Sequence, residues 1–219
     1  MSSINLHFTF NYVQPDEYRF SHDSVFLARE VFKKIKKFHL PYTQILDLCS
    51  GCGIVGLDLL FHLNSNGMQL PKKTDFLEIQ NIYKPFFDKN VETFNGITKQ
   101  SVSAQFLNIN YEMLAQPESI YASSYDLIIS NPPYFRKDQG VLSKSEFKNR
   151  CRFFIDSDFK NLIAAFKVSL SESGNAFILL KSLTEHGIDI EKEFADLDTG
   201  LKLINLGLIR DTGFYQIKK

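Results

Sequence analysis

The residue types that could do chemistry meet in Asn131-Pro132-Pro133-Tyr134. Neither proline can continue a sheet ladder, because each has a fixed φ and no N–H. Asn131 precedes a proline and is pushed toward an extended conformation. The corner therefore offers the Asn131 amide and the Asn131 and Pro132 carbonyls as a nearly fixed set of acceptors with few nearby donors. Tyr134 adds a flat face. Such an array suits a planar group bearing an NH2. The bland alternative is a strand followed by an ordinary Pro-Pro loop.

A second constellation lies upstream. Gly51-x-Gly53-x-x-Gly56 follows an apolar stretch, Gln44–Leu48, and opens a helical pattern. Alone it fits a dinucleotide fingerprint, with Glu78 as the ribose-binding acid. Two features point away from that ligand. Asp47, inside the strand tip, favours a cationic ligand group over a pyrophosphate, and the Pro-Pro corner has no task in hydride transfer. A nucleoside joined to an amino acid fits better: Asp47 faces its ammonium, Glu78 accepts from ribose hydroxyls, and Asn108 meets an adenine amine. S-adenosylmethionine has that form.

Positioning these groups requires strands that end together. The sequence predicts short strands at 44–48, 75–78, 102–107, 126–130 and 176–181. Apolar periodicity predicts helices beginning after a cap at Ser21 and at 54–63, 82–94, 159–170 and 190–197. Pro85 is tolerable in the first turn of its helix, and Asn95-Gly96 is expected to end it. Residues 5–13 suggest a short strand or extended arm, and 64–73 a surface loop. Residues 136–150 have no clear period and are expected to form a mobile loop beside the site. Ser173-Gly174-Asn175 marks a turn. Strands at 201–209 and 214–217 are joined by the turn signal Asp211-Thr212-Gly213. The expected fold class is α/β: a doubly wound, mostly parallel seven-stranded sheet with an antiparallel C-terminal hairpin. Ligands bind at the carboxyl ends of such strands. Asp47, Glu78, Asn108 and Asn131 all map there.

The 219 residues suit one domain overall, divided into an N-terminal arm and helix (1–43) and the α/β domain (44–219). Formal net charge is zero, which argues against a broad nonspecific grip on a nucleic-acid backbone but leaves room for a local basic patch. Lys33, Lys34, Lys36 and Lys37 crowd the end of the first helix, where they complement the helix dipole or contact RNA. Cys49-x-x-Cys52 is a redox or zinc half-site in form, but no second cysteine pair or histidine cluster completes a zinc site. No signal peptide and no membrane-length apolar run is visible. A cytoplasmic protein without membrane association, and a monomer, are the expectations.

Asp47-Leu-Cys-Ser-Gly-Cys-Gly-Ile-Val-Gly56, Phe76-Leu-Glu-Ile-Gln80 and the stretch 126–135 resemble the motifs of class I methyltransferases. More narrowly, they resemble the group that methylates exocyclic amines. The segment from Tyr18 to Ala28 is similar to the one preceding the first core strand in the tRNA1(Val) adenine-37 N6-methyltransferase relatives. The resemblance covers residues 18–181. It implies a Rossmann-like methyltransferase that takes S-adenosylmethionine and methylates an exocyclic amine, adenine N6 of tRNA first. Ribosomal RNA guanine N2, protein glutamine N5 and a non-catalytic cofactor-binding scaffold are the alternatives. It implies catalytic roles for Asn131, Pro132, Pro133 and Tyr134. It implies cofactor contacts from Arg19, Asp23, Asp47, Cys49, Gly51, Gly53, Glu78, Ile79, Asn108 and Asn131. No metal is implied. The family usually has Gly at the Cys49 position and often Asp at the Asn108 position. Its arginine-centred motif is only faintly matched by Cys151-Arg152-Phe153.

Overall fold

The computed structural model describes residues 12–19, 22–116, 118–137, 139–183 and 186–219. Ser21, residues 5–11 and Pro117 lie outside the described residues, and residues 12–19 form no strand. The helices are α1 (His22–Phe38), α2 (Ile54–Ser65), α3 (Lys84–Thr98), α4 (Glu146–Arg152), α5 (Phe159–Ser169) and α6 (Ile190–Asp196). The strands are β1 (Gln44–Leu48), β2 (Lys73–Leu77), β3 (Ala104–Leu107), β4 (Tyr125–Ser130), β5 (Leu170–Leu180), β6 (Lys202–Ile209) and β7 (Thr212–Lys218).

The strands form one sheet in the order β3-β2-β1-β4-β5-β7-β6. The first five are mutually parallel, while β7 enters antiparallel between β5 and β6. Strand residues alternate between the two faces. Ile45, Leu127 and Ile129 pack with α1, α2 and α3, whereas Leu46, Leu48 and Ile128 pack with α5 and α6. Both faces are covered, which explains why β1 and β4 are almost continuously apolar.

The chain winds outward through β1, β2 and β3, then returns to lay β4 on the other side of β1. Leu48 and Ser130 are register partners across that reversal, and Ser130 Oγ donates to the Leu48 carbonyl at 2.7 Å. The glycine loop and the proline corner therefore leave the sheet side by side, at the switch point where open α/β sheets bind ligands.

Several expectations are corrected. Helix α3 continues through Gly96 and stops at Lys99, whose φ is 55°; the exposed glycine weakens a helix without being obliged to end it. The predicted loop 136–150 contains the start of α4, capped by Ser145 Oγ accepting from Lys148 N. That helix buries only Asn149, so it leaves no apolar period to read. The turn residues around Gly174 bulge within β5, where the register with β4 jumps between Tyr125–Leu170 and Leu127–Asn175. The hairpin turns at Arg210 and Asp211, and Thr212 and Gly213 already belong to β7.

Candidate active site

A cavity of about 230 Å³ opens at the switch point. The glycine loop forms its floor. Cys49, Gly51 and Gly53 have φ of 63°, 55° and 83°, the left-handed region that glycine enters without steric cost. Cys49 thus occupies a position whose backbone favours the glycine usual in the resembling family. Gly53 caps α2, and a Cβ there would come within 2.9 Å of the Phe87 ring. A Cβ at Gly56 would stand 2.4 Å from the Phe76 ring and 3.0 Å from Asp47 Oδ2. Glycine at 56 is what lets α2 rest on the sheet.

Asp47 is fully buried, and its Oδ2 accepts from Gly56 N at 2.8 Å. Its side chain points to the α2 face of β1 and does not line the cavity. Its carboxylate steadies the loop from behind and does not face the cavity, where a ligand ammonium is expected. Glu78 does line the cavity. Its Oε2 accepts from Gly51 N at 3.0 Å and its Oε1 from Gln80 N at 2.8 Å. Burial pushes the carboxyl groups of Asp47 and Glu78 up to about 7, against the backbone hydrogen bonds that favour their charged forms. Nearby carboxylates add to each rise: Glu78 beside Asp47, and Asp156 beside Glu78.

Asn108 is also placed differently from its expected role. Its Nδ2 donates to the Glu78 and Ile79 carbonyls, each at 2.9 Å, so its amide braces the turn after β2. The cavity wall beyond Ile79 is built instead by Ile109, Asn110 and Tyr111. Asn110 is tied to the Asp156 carbonyl at 3.0 Å, and the Tyr111 hydroxyl donates to the Asp158 carbonyl at 3.0 Å. The wall is thereby linked to the segment leading into α5.

The proline corner faces this floor. Asn131, Pro132, Pro133 and Tyr134 all line the cavity. Asn131 Nδ2 donates to Ser24 Oγ at 3.0 Å, and Tyr134 Oη donates to Asn131 Oδ1 at 2.5 Å. The amide nitrogens of Tyr134 and Phe135 both donate to the Arg152 carbonyl, at 3.2 and 3.0 Å. The two N–H groups after the prolines are therefore both engaged by one carbonyl, and no backbone N–H of the described residues donates to the Pro132 carbonyl. Burial raises the Tyr134 phenol, with Asp23 adding to the rise.

Among the described residues, neither Arg19 nor Asp23 lines the cavity. Arg19 pairs with the exposed Asp16 at 3.5 Å, and Asp23 pairs with Arg210 at 3.3 Å. From the same N-terminal region it is Gln14, Tyr18 and Ser24 that reach the wall. The arm is anchored by Asn90, which exchanges hydrogen bonds with both backbone groups of Val13 and also holds the Cys52 carbonyl. Sequence reasoning also passed over Ser50, a buried residue of the cavity wall whose Oγ has no hydrogen-bond partner among the described residues. It gave little weight to Arg150, Cys151 and Arg152, which α4 delivers to the rim. Burial raises all three thiols, Cys52 to about 12 and Cys151 to about 11. Little reactive thiolate is present near neutrality, so Cys49-x-x-Cys52 has none of the electrostatics of a redox pair.

A model of the Methyltransf_16 family, described as lysine methyltransferase, matches residues 22–139. The tRNA1(Val) (adenine(37)-N6)-methyltransferase of Flavobacterium johnsoniae is 28% identical over 143 residues, covering 65% of this chain and 54% of that protein. The release factor glutamine methyltransferase of Clostridium botulinum is 30% identical over 119 residues, covering 53% of this chain and 36% of that protein. The chain thus spans about half or less of the curated relatives it matches. A 16S rRNA N2 methyltransferase of T. thermophilus, solved in complex with AdoMet and guanosine, superposes with a TM-score of 0.60 at 15% identity. That superposition covers 93% of this chain and 44% of that one, and shows a shared fold.

Proposed function

We propose, from the premise that the chain belongs to the Methyltransf_16 family and has the S-adenosylmethionine-dependent methyltransferase fold, that it methylates a planar exocyclic NH2, adenine N6 of tRNA first. The observation that carries this reading is the Asn131–Tyr134 corner: an amide oxygen and a proline carbonyl beside a cavity, with the adjacent backbone donors already bonded to the Arg152 carbonyl.

The donor side fits the cofactor. Ser50 lines the cavity, and its buried Oγ has no hydrogen-bond partner among the described residues. Gly51 leaves its position open opposite the Tyr83 ring, which a Cβ would approach to 3.7 Å. Glu78 would hold ribose hydroxyls, the backbone at Cys49 and Gly51 the amino-acid end, and Ile79 the adenine face. Asp47, Gly53 and Asn108 would act through the loop and turn they brace. Arg19 and Asp23 are proposed only to shape the neighbouring arm and α1. When bound, S-adenosylmethionine supplies a methyl group on a sulfonium whose bonding pair departs with sulfur as a thioether.

The chain's own residues would prepare the acceptor. The lone pair of an aromatic or amide NH2 is delocalised and weakly nucleophilic. Asn131 Oδ1 and the Pro132 carbonyl would each take one N–H, turning the lone pair out of conjugation and stabilising charge developing on nitrogen. Pro133 fixes the corner, and Tyr134 would stack on the base. The nitrogen pair forms the new C–N bond, and the extra proton then leaves to solvent. No carboxylate base at the corner is needed for such an acceptor, and alignment supplies most of the rate.

A nucleic-acid acceptor is supported by charge at the rim. Arg150 and Arg152 line the cavity, and Arg136, Lys137, Lys144 and Lys148 lie in the same segment of sequence as Asp138 and Glu146, in a chain whose formal net charge is zero; Arg136 pairs with Glu193 and Arg150 with Asp156. The α1 lysines are different. Ser24 in the first turn lies at the cavity, so the last turn of this 17-residue helix lies on the order of 20 Å away. Lys33 pairs with Glu30 at 2.7 Å, and Lys34 and Lys37 lie over the Phe38 ring. Their helix-end role accounts for them. Two observations favour a second reading, a protein side chain: the family's lysine description and the release-factor relative. The test is methyl transfer from labelled S-adenosylmethionine to total tRNA, total ribosomal RNA and total protein from cells lacking this chain. Label entering tRNA is the expected result; label entering only protein would move the assignment to the second reading. Titration with S-adenosylmethionine and with NAD checks the donor side, with binding of the former expected.

A further inference from the structure

Asn131 is useful to an acceptor amine only if its oxygen, not its nitrogen, faces the amine. The two ends of a side-chain amide have nearly the same size, so shape does not choose between them. Hydrogen bonds must choose. Nδ2 donates to Ser24 Oγ at 3.0 Å, and Oδ1 accepts from Tyr134 Oη at 2.5 Å. Turning the amide over would require both hydroxyls to exchange roles, Ser24 donating to Oδ1 and Tyr134 accepting from Nδ2. Ser24 is 6% exposed and sits in the first turn of α1, far from Asn131 in sequence and beside the same cavity.

We propose that Ser24 is a positioning residue for methyl transfer, its hydroxyl oxygen receiving Asn131 Nδ2 so that Oδ1 is presented to the acceptor amine. This rests on the acceptor role assigned to Asn131. Oδ1 has a second lone pair beyond the one used by Tyr134, and that pair is the one offered to the amine. Ser24 itself touches neither reacting atom in this account. Its effect is on rate, through the orientation of another side chain.

The experiment compares Ser24→Ala, Ser24→Thr, Asn131→Ala and the Ser24→Ala/Asn131→Ala double variant. It uses single-turnover transfer from labelled S-adenosylmethionine to total tRNA, with cofactor affinity measured by calorimetry. Ser24→Ala is expected to transfer roughly tenfold more slowly at saturating cofactor, the equivalent of one lost hydrogen bond. Cofactor affinity and the KM for tRNA should hold. Ser24→Thr should restore the rate to within about twofold, because the hydroxyl is kept. The double variant should be no slower than Asn131→Ala, since the two residues act as one unit. A wild-type rate in Ser24→Ala overturns the proposal while leaving the Asn131 reading intact, provided Asn131→Ala is slow. A loss confined to cofactor affinity, or a full additional loss in the double variant, also overturns it, by making Ser24 a direct ligand contact. If Asn131→Ala is as fast as wild type, the acceptor reading fails and the rate claim fails with it. The orientation claim has its own readout in the side-chain amide resonances of Asn131. They should shift and exchange faster with water in Ser24→Ala; unchanged resonances contradict it.

Discussion

On the β1–β2 side of the cavity, Glu78 accepts two backbone N–H groups and Asp47 a third, so side chains there fasten loops. On the β4 side, Asn131 bonds two other side chains, Ser24 from α1 and Tyr134 from its own corner, and the Arg152 carbonyl anchors the corner itself. The first side is a backbone cradle whose shape depends on glycine. The second is an array of directed polar groups assembled from distant segments. The difference teaches how one cavity can hold a donor by shape and an acceptor by direction. It also implies that the two functions are separable by substitution.

The largest separation is expected at Asn131. Asn131→Ala should slow single-turnover transfer by about 10²–10³, the usual effect of losing one preorganised contact to developing charge. Cofactor affinity should fall by less than about tenfold. Equal losses in both would merge the two sides. Glu78→Ala should do the reverse. Cofactor affinity measured by calorimetry should weaken by about 1.5–3 kcal/mol, while transfer recovers when cofactor is saturating. An unchanged affinity would remove Glu78 from the donor side.

Gly56→Ala probes the cradle without touching a ligand. The added methyl meets the fully buried Phe76 ring, and overpacking of this kind costs about 1–3 kcal/mol. Denaturant unfolding should show the loss; unchanged stability would mean that α2 can lift from the sheet freely. The smallest effect is electrostatic. Because the folded-state values of Asp47 and Glu78 are raised to about 7, the folded protein binds more protons than the unfolded chain between the two values. Their contribution to stability is therefore complete at acid pH and is lost as pH rises toward and through 7. The cofactor-free protein should unfold more easily at pH 8 than at pH 5. Glu78→Gln should flatten that dependence by at most about 1.4 kcal/mol per pH unit. An identical slope in wild type and variant would contradict the burial of an ionisable group at this place.

The two sides were not equally legible in the sequence. Glycines that must adopt positive φ, and prolines that cannot donate, declare themselves by residue type, so the loop at 51–56 and the corner at 131–134 could be read directly. Strand alternation and the order of elements gave the parallel sheet and its terminal hairpin. What a sequence does not show is which way a polar group at a strand tip points. Asp47 and Asn108 sit at the expected tips, yet one turns toward α2 and the other reaches back to the preceding turn. The Ser24–Asn131 contact joins residues with no local signature. The Tyr134 hydroxyl, to which the motif assigns no task, has a partner only because the corner folds back on Asn131. Helix α4 went unread because it is short and buries one polar residue.

The central claim is that the array at Asn131 selects a planar amine. The most direct measurement is to label total tRNA with this protein and isotopic S-adenosylmethionine, digest it to nucleosides, and identify the labelled product, with Asn131→Ala as the control. The account predicts label in N6-methyladenosine and its loss in the variant. Label recovered only in a nucleoside methylated at a ring atom or on the ribose, or label unaffected by Asn131→Ala, would contradict it.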